Sequence, residues 1–222
     1  VYEDENNAGI FDFTADLLDE GAAGKNALQI ADEIDYLGAT INTYSGYHVS
    51  GININTPLSK LEQTLQISSE ILLKPDFPES EFKRLKNERL GTMMQFFDEP
   101  RRIASVGFNK LLWGFNHPYG RPLIGLEKSV KSFDRNSVKM IYDKYFKSNN
   151  AQIIVAGDIK KKELKDILEK YFAGWEKGKF SESRVAIPEV NKKTIINIID
   201  KPGSAQSVIF IGTIGVKRNT PD

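Results

Sequence analysis

The stretch ATINTYSGYHVSGININTP, residues 39–57, limits the fold more than any other part of the chain. β-Branched and aromatic residues alternate in part with polar ones, and Ser45-Gly46 supplies a turn. It therefore reads as two antiparallel strands, about 39–45 and 47–56. Helical periodicity surrounds the pair. Before it, Leu28, Ile30, Ala31, Ile34 and Leu37 form a stripe behind an Asn26/Gln29 capping-box variant, and Gly38 ends the helix. After it come a helix opened by Pro57 and running to Leu73, with Leu58, Leu61, Leu65, Ile71 and Leu72 inward, a long helix over 79–97 and another from Pro100. Asp134 caps a helix to Phe146, NAQIIVAGD reads as a buried strand, and 160–173 is amphipathic, with Leu164, Ile167, Leu168, Tyr171 and Phe172 apolar. Strands adjacent in sequence, with helices gathered around them, give an α+β fold with a mainly antiparallel sheet packed against several helices. A doubly wound parallel fold needs strict alternation of strand and helix.

Beyond Lys177 the pattern fades. Residues 177–191 are polar and hold Gly178, Ser181, Ser183 and Pro188, which marks a linker. KTIINIIDKPGSAQSVIFIGTIG then reads as two strands around Pro202-Gly203 with no helix to cover them. The expected division is one domain over 1–176, the linker, and the opening strands of a second, truncated domain over 192–222. The opening VYEDENNAG lacks an initiator Met, so the chain is read as a fragment.

Composition removes several classes of function. Thirty basic and thirty acidic residues cancel among 222, so net charge points to neither nucleic acid nor a membrane surface. No apolar run reaches the length of a membrane span. The absence of cysteine excludes thiolate metal sites and cysteine nucleophiles while leaving the compartment open. Only His48, on the second strand of the proposed hairpin, and His117, in the Pro/Gly loop FNHPYGRPLIG, are histidines, and no two-histidine ligand spacing exists. There is no G-x-S-x-G elbow and no P-loop.

The remaining candidates each carry two readings. Asp12 and Asp16 stand four apart in DFTADLLDEG and share a helix face, as a ligand pair or an acid/base couple would; exposed acids are the default where no histidine accompanies them. His117 suits a site or a local cap beside Tyr119. Arg121 suits a carboxylate or phosphate ligand or a salt bridge. Phe96, Phe97 and Phe108 read as core.

Taken in order, AGIFDFTADLLDEGAAGKNALQIADEIDYLGATINTYSGYHVSGININ, LLKPDFPESEFKRLKNERL, DEPRRIASVGFNKLLWGFNHPYGRP, SFDRNSVKMIYDKYFKSNNAQIIVAGDI and IIDKPGSAQSVIFIG resemble the pitrilysin/insulinase family of zinc peptidases, which includes mitochondrial processing peptidase. The resemblance implies a processing-peptidase-like metallohydrolase domain that lacks its first strand, leaving a sheet edge exposed or covered by a dimer contact. It also implies an H-x-x-E-H zinc motif on the first helix. Laid on GIFDFTAD, the two histidines fall at Asp12 and Asp16 and the general-base glutamate at Ala15, so all three have changed. The downstream zinc ligand falls at Gly91 or Thr92, and the nearest acid is Glu88.

With no base at Ala15, the resemblance implies no zinc in this chain and no activity alone. It implies a non-catalytic half or subunit that helps enclose peptide substrate for a zinc-bearing homologous half. The alternatives are a structural or assembly subunit of the same fold, a homodimer of the fragment, and a stand-alone hydrolase using His117, Asp12 and Asp16. In two-subunit bacterial members the degenerate partner supplies an Arg/Tyr pair from its second domain; that region is expected beyond Asp222, so no residue here takes the role. The resemblance favours the bacterial periplasm over the cytoplasm.

Overall fold

The computed structural model describes residues 2–96, 98–114, 116–179, 185, 193–216 and 220–221. In chain order the elements are α1 (Ile10–Asp16), a two-residue ribbon of β1 (Gly21–Ala22) and β2 (Lys25–Asn26), α2 (Ala27–Tyr36), the hairpin β3 (Thr40–Ser45) and β4 (Ser50–Asn55), α3 (Leu61–Leu73), α4 (Glu79–Phe96), α5 (Pro100–Trp113), α6 (Glu127–Ser132), α7 (Arg135–Tyr145) and α8 (Lys161–Phe172). Mixed helices with small antiparallel sheets make the α+β class read from the sequence. The β3–β4 register runs from Thr40 opposite Asn55 to Ser45 opposite Ser50, closed by Gly46 N–H donating to Val49 O at 2.8 Å. The turn takes four residues rather than a tight pair, so His48 sits in the turn and not on the second strand.

Local chemistry sets the helix starts. Asn26 Oδ1 accepts from Gln29 N–H at 2.9 Å while Gln29 Oε1 accepts from Asn26 N–H at 3.0 Å, the reciprocal cap that the sequence predicts. Asp134 and Ser137 do the same for α7. In α3 the interior face carries Thr64 and Ser68 as well as Leu65, Ile67 and Ile71, and both hydroxyls return to carbonyls one turn back (2.9 and 2.8 Å). Leu58, Leu28 and Ala31 point outward instead of joining their expected stripes.

The core is built around α1. Ile10, Phe13, Leu17 and Leu18 are buried with Ile30, Ile41, Ile71, Phe82, Phe133 and Val138, and Phe13 meets Phe82 edge-on at 5.4 Å. Full burial of such side chains contributes roughly 1.5–3 kcal/mol each. The chain entering α1 passes backbone-to-backbone against the loop before α6. Gly9 (φ +88°) faces Gly125 (φ +95°), and a Cβ on Gly9 would lie 2.6 Å from Gly125 Cα, one on Gly125 2.4 Å from Ala8 O. Ser129 Oγ donates to Ala8 O at 2.7 Å beside this crossing.

Three expected strands do not form. Residues 151–157 and the two runs in 193–216 have no ladder partner among the described residues, and Ile154, Ile196, Ile198 and Ile211 are 82–94% exposed. An apolar β-branched run is only half of a strand, because its N–H and C=O groups need a neighbouring edge. The segment after residue 193 instead lies along α5: Ile199 Cδ1 would sit 2.5 Å from a Cβ on Gly107, and Phe210 stacks on Phe108 at 5.7 Å. Phe96 and Phe108 are therefore half-buried rather than core, with the Arg102 guanidinium over Phe96 at 4.6 Å; Phe97 lies outside the described residues. The apolar side of α8 is likewise only half-buried. The linker expected at 177–191 falls largely outside the described residues, although Gly178 is tied to Asn149 by two hydrogen bonds (2.9 and 3.0 Å).

Gly9→Ala and Gly125→Ala are each expected to cost about 2–4 kcal/mol, from left-handed strain plus overpacking. Urea unfolding measures it. A loss below about 0.5 kcal/mol in both variants would contradict the close crossing.

The candidate site on α1

The α1 face that carries Asp12 and Asp16 is closed by an arginine from α4. Arg89 Nη2 lies 3.0 Å from Asp12 Oδ2 and in direct contact with Asp16 Oδ2, while Nη1 donates to Gly9 O and Ile124 O, each at 3.3 Å. Four of the five guanidinium N–H groups are thereby matched to oxygens, and the plane also lies over the Phe13 ring, 5.0 Å from its centre. The Arg89 side chain is 6% exposed, against 25% for Asp12 and 45% for Asp16. Removing one member of a buried ion cluster costs about 3–5 kcal/mol, because the others are left uncompensated.

Two carboxylates share this one cation. Burial is the largest influence on Asp12 and pushes it up to about 6; Arg89 opposes that rise, and the charges of Asp16 and Glu3 add to it. An Asp12 that pairs with an arginine and yet titrates high is consistent physically, since Asp16 makes the closer contact with the guanidinium. Asp19, past the end of the helix, is also raised to about 6, chiefly by burial, with Glu20 and Asp16 contributing.

Other sequence candidates fall elsewhere. Ala15 is fully buried and offers only a methyl group where a general base would stand. Glu88 is turned to Arg84 at 3.2 Å with its side chain 65% exposed. Gly91 has no side chain to offer a ligand. Among the described residues no group of three His, Cys, Asp or Glu side chains is placed to hold a metal ion. Zinc needs histidine or carboxylate ligands in a near-tetrahedral set, and a guanidinium between two aspartates cannot be part of one. The residues present do not fit the metal.

His117 does not join Asp12 and Asp16. Its Nδ1 accepts from Tyr119 N–H at 3.1 Å, and its ring stacks on Trp113 at 5.1 Å, so it caps the turn Pro118–Gly120 as the local reading of the sequence has it. His48 contacts the Tyr119 hydroxyl. A hydrolase built from His117, Asp12 and Asp16 has no geometric basis here. Arg121 is 7% exposed and spends its guanidinium on Asn116 O (2.9 Å) and Glu3 O (2.7 Å), which makes it a backbone clamp rather than an anion site. The residue that sequence reasoning misses is Arg89. Its signal was nonetheless present: a cation one turn or less from the expected downstream ligand, opposite two acids that need a counter-charge.

Known proteins resemble the chain in sequence and in fold. Residues 132–222 match the family model described as Peptidase M16 inactive domain. The chain is 27% identical over 172 residues to the uncharacterized zinc protease YmxG of Bacillus subtilis, covering 77% of this chain and 42% of the relative. In three dimensions it superposes on the crystal structure of a peptidase M16 inactive domain from Pseudomonas fluorescens with a TM-score of 0.76 at 26% identity, over 84% of this chain and 45% of that one. The chain is thus similar to M16 peptidases in sequence and in fold. Cytochrome b-c1 complex subunit 1 of Bos taurus is also similar, at 22% identity over 186 residues, 83% of this chain and 38% of the relative. The periplasmic protease PqqL of Escherichia coli shares the fold, with a TM-score of 0.73 at 19% identity, over 85% of this chain and 22% of that one. The chain spans less than half the length of the curated relatives it matches. The M16 family-model match begins at Ser132, downstream of both α1 and α4, so the state of the α1 site is decided by its own residues.

The high Asp12 value has a measurable consequence. A carboxyl group whose folded pKa of about 6 exceeds its ordinary value of 3.8 stabilises the fold fully below pH 4, and that stabilisation is lost as pH rises to 6. Relative to wild type, Asp12→Asn should therefore gain stability between pH 4 and pH 7, by about 3 kcal/mol at most. Urea midpoints at the two pH values give the difference. A gain in the opposite direction would contradict the assigned burial.

Proposed function

We propose that the chain is the non-catalytic half or subunit of an M16 zinc peptidase, helping to enclose and position peptide substrate for cleavage by a zinc-bearing homologous half. The observation that carries this reading is the α1 site: the ligand positions hold Asp12 and Asp16, the base position holds Ala15, and Arg89 fills the space between the acids. Such a site can neither hold the metal nor deprotonate a bound water. What remains useful for proteolysis is a rigid wall and exposed β-prone backbone, to which an extended peptide can add as a strand.

On this reading zinc resides in the partner half, and residues 1–176 form one processing-peptidase-like domain. Residues 177–191 link it to a second, similar domain that opens at 192–222. The compartment we favour is the bacterial periplasm, where the PqqL fold neighbour works. Among the described residues no helix is long and apolar enough to cross a membrane.

Similarity to a cytochrome b-c1 complex subunit supports a second reading, a structural or assembly subunit with no peptide to hold. Peptide binding separates the two. Full-length protein purified alone should contain far less than one zinc by elemental analysis and leave unfolded casein uncut. It should still raise the fluorescence anisotropy of labelled casein fragments, and adding the zinc-bearing half should start cleavage. Zinc at one equivalent with cleavage by this protein alone would overturn both readings. No peptide binding, and no effect on the partner's activity, would leave the scaffold reading in its place.

A further inference from the structure

The guanidinium of Arg89 sits in a shell of oxygen atoms drawn from three places in the fold. Gly9 O comes from the N-terminus of α1, Asp12 and Asp16 from its face, and Ile124 O from the loop leading into α6. A cluster of oxygens from separate elements around one positive charge is the arrangement by which a bound cation fastens a fold. α1 packs by backbone proximity on α7 and the hairpin, whereas its link to α4 is carried by side chains, through Phe13 against Phe82 and through Arg89.

We propose that Arg89 is a built-in counter-cation, which fastens α4 to α1 and to the loop before α6 and closes the α1 site to divalent ions. The residues that do not fit zinc do fit a guanidinium. A guanidinium suits the place because it is planar, always charged and able to serve four oxygens at once, and because it cannot lower the pKa of water. A lysine would satisfy fewer of them. Asp12 and Asp16 are accordingly positioning residues for Arg89. The proposal stands whether or not the protein holds a peptide, so its failure and that of the proposed function are distinguishable.

The test uses thermal unfolding of the full protein. Wild type should keep the same Tm with chelator, without it, and with equimolar zinc. Arg89→Gln, and the double variant Asp12→Asn with Asp16→Asn, should each lower Tm by roughly 10 °C. The triple variant should fall well short of the summed loss, the signature of groups that act together. In Arg89→Ala, guanidinium far below denaturing concentration should raise Tm while urea, its uncharged isostere, lowers it. Should the alanine and glutamine variants fail to fold, Arg89→Lys serves, with a Tm expected a few degrees below wild type. Stoichiometric zinc uptake that raises the wild-type Tm would overturn the proposal. So would strict additivity in the triple variant, equal responses to guanidinium and urea, or a lysine variant that does not fold either.

Discussion

The contact on which the rest of the molecule depends is the Arg89 guanidinium against α1. It reaches across from α4 to neutralise Asp12 and Asp16 and holds the carbonyls of Gly9 and Ile124 with its other nitrogen. Those carbonyls flank the crossing at which Gly9 and Gly125 touch. One side chain thus fixes the entry of α1, the loop before α6 and the face of α4. The apolar side of α1 then packs without ambiguity: Phe13, Leu17 and Leu18 have one place to go once the acidic side is pinned. Burying the Arg89 guanidinium against two half-buried carboxylates is expensive in itself, and hydrophobic replacements of buried ion clusters are often no less stable. What an ion cluster adds is a geometry with directions, since each oxygen must face a particular N–H.

Much of this was legible in the sequence where the controlling interaction is local. The caps at Asn26 and Asp134, the hairpin of residues 40–55 and the α1 helix follow from spacings of three or four residues or from alternation. Interactions across long sequence separations were less accessible. Arg89 lies 73 residues from Asp16 in the chain, and no periodicity announces the pairing. Only the register implied by the family resemblance brought the two segments together, and it drew attention to Gly91, Thr92 and Glu88 rather than to the cation beside them. The apolar runs 151–157 and 193–216 read as strands because composition reports the preference of a segment and not the presence of an edge to pair with. Arg121 drew attention as an anion ligand because its residue type suggests one, while its actual partners are main-chain carbonyls that no sequence pattern displays.

On the proposed reading, the α1 site is a catalytic position vacated without loss of the fold. Two aspartates in place of histidines raise the negative charge of the helix face, and burial of Asp12 makes that charge costly, as its rise to about 6 reflects. A metal with two carboxylates and no third ligand would be weakly held. An arginine from the facing helix removes the need for one, and Ala15 removes the base that would have made a bound water reactive. Without Arg89 the two carboxylates would face each other uncompensated, so acids and arginine make physical sense only together. On the proposed function, catalysis belongs to a partner, and this domain contributes shape and exposed strand-forming backbone.

The most direct test is nuclear magnetic resonance of the protein with 15N-labelled arginine. The account predicts that Arg89 shows slowly exchanging Nη hydrogens with restricted rotation, and that equimolar zinc leaves these signals and the amides of residues 12–16 unmoved. A freely rotating, fast-exchanging Arg89 whose neighbouring amides shift with one equivalent of zinc would contradict it.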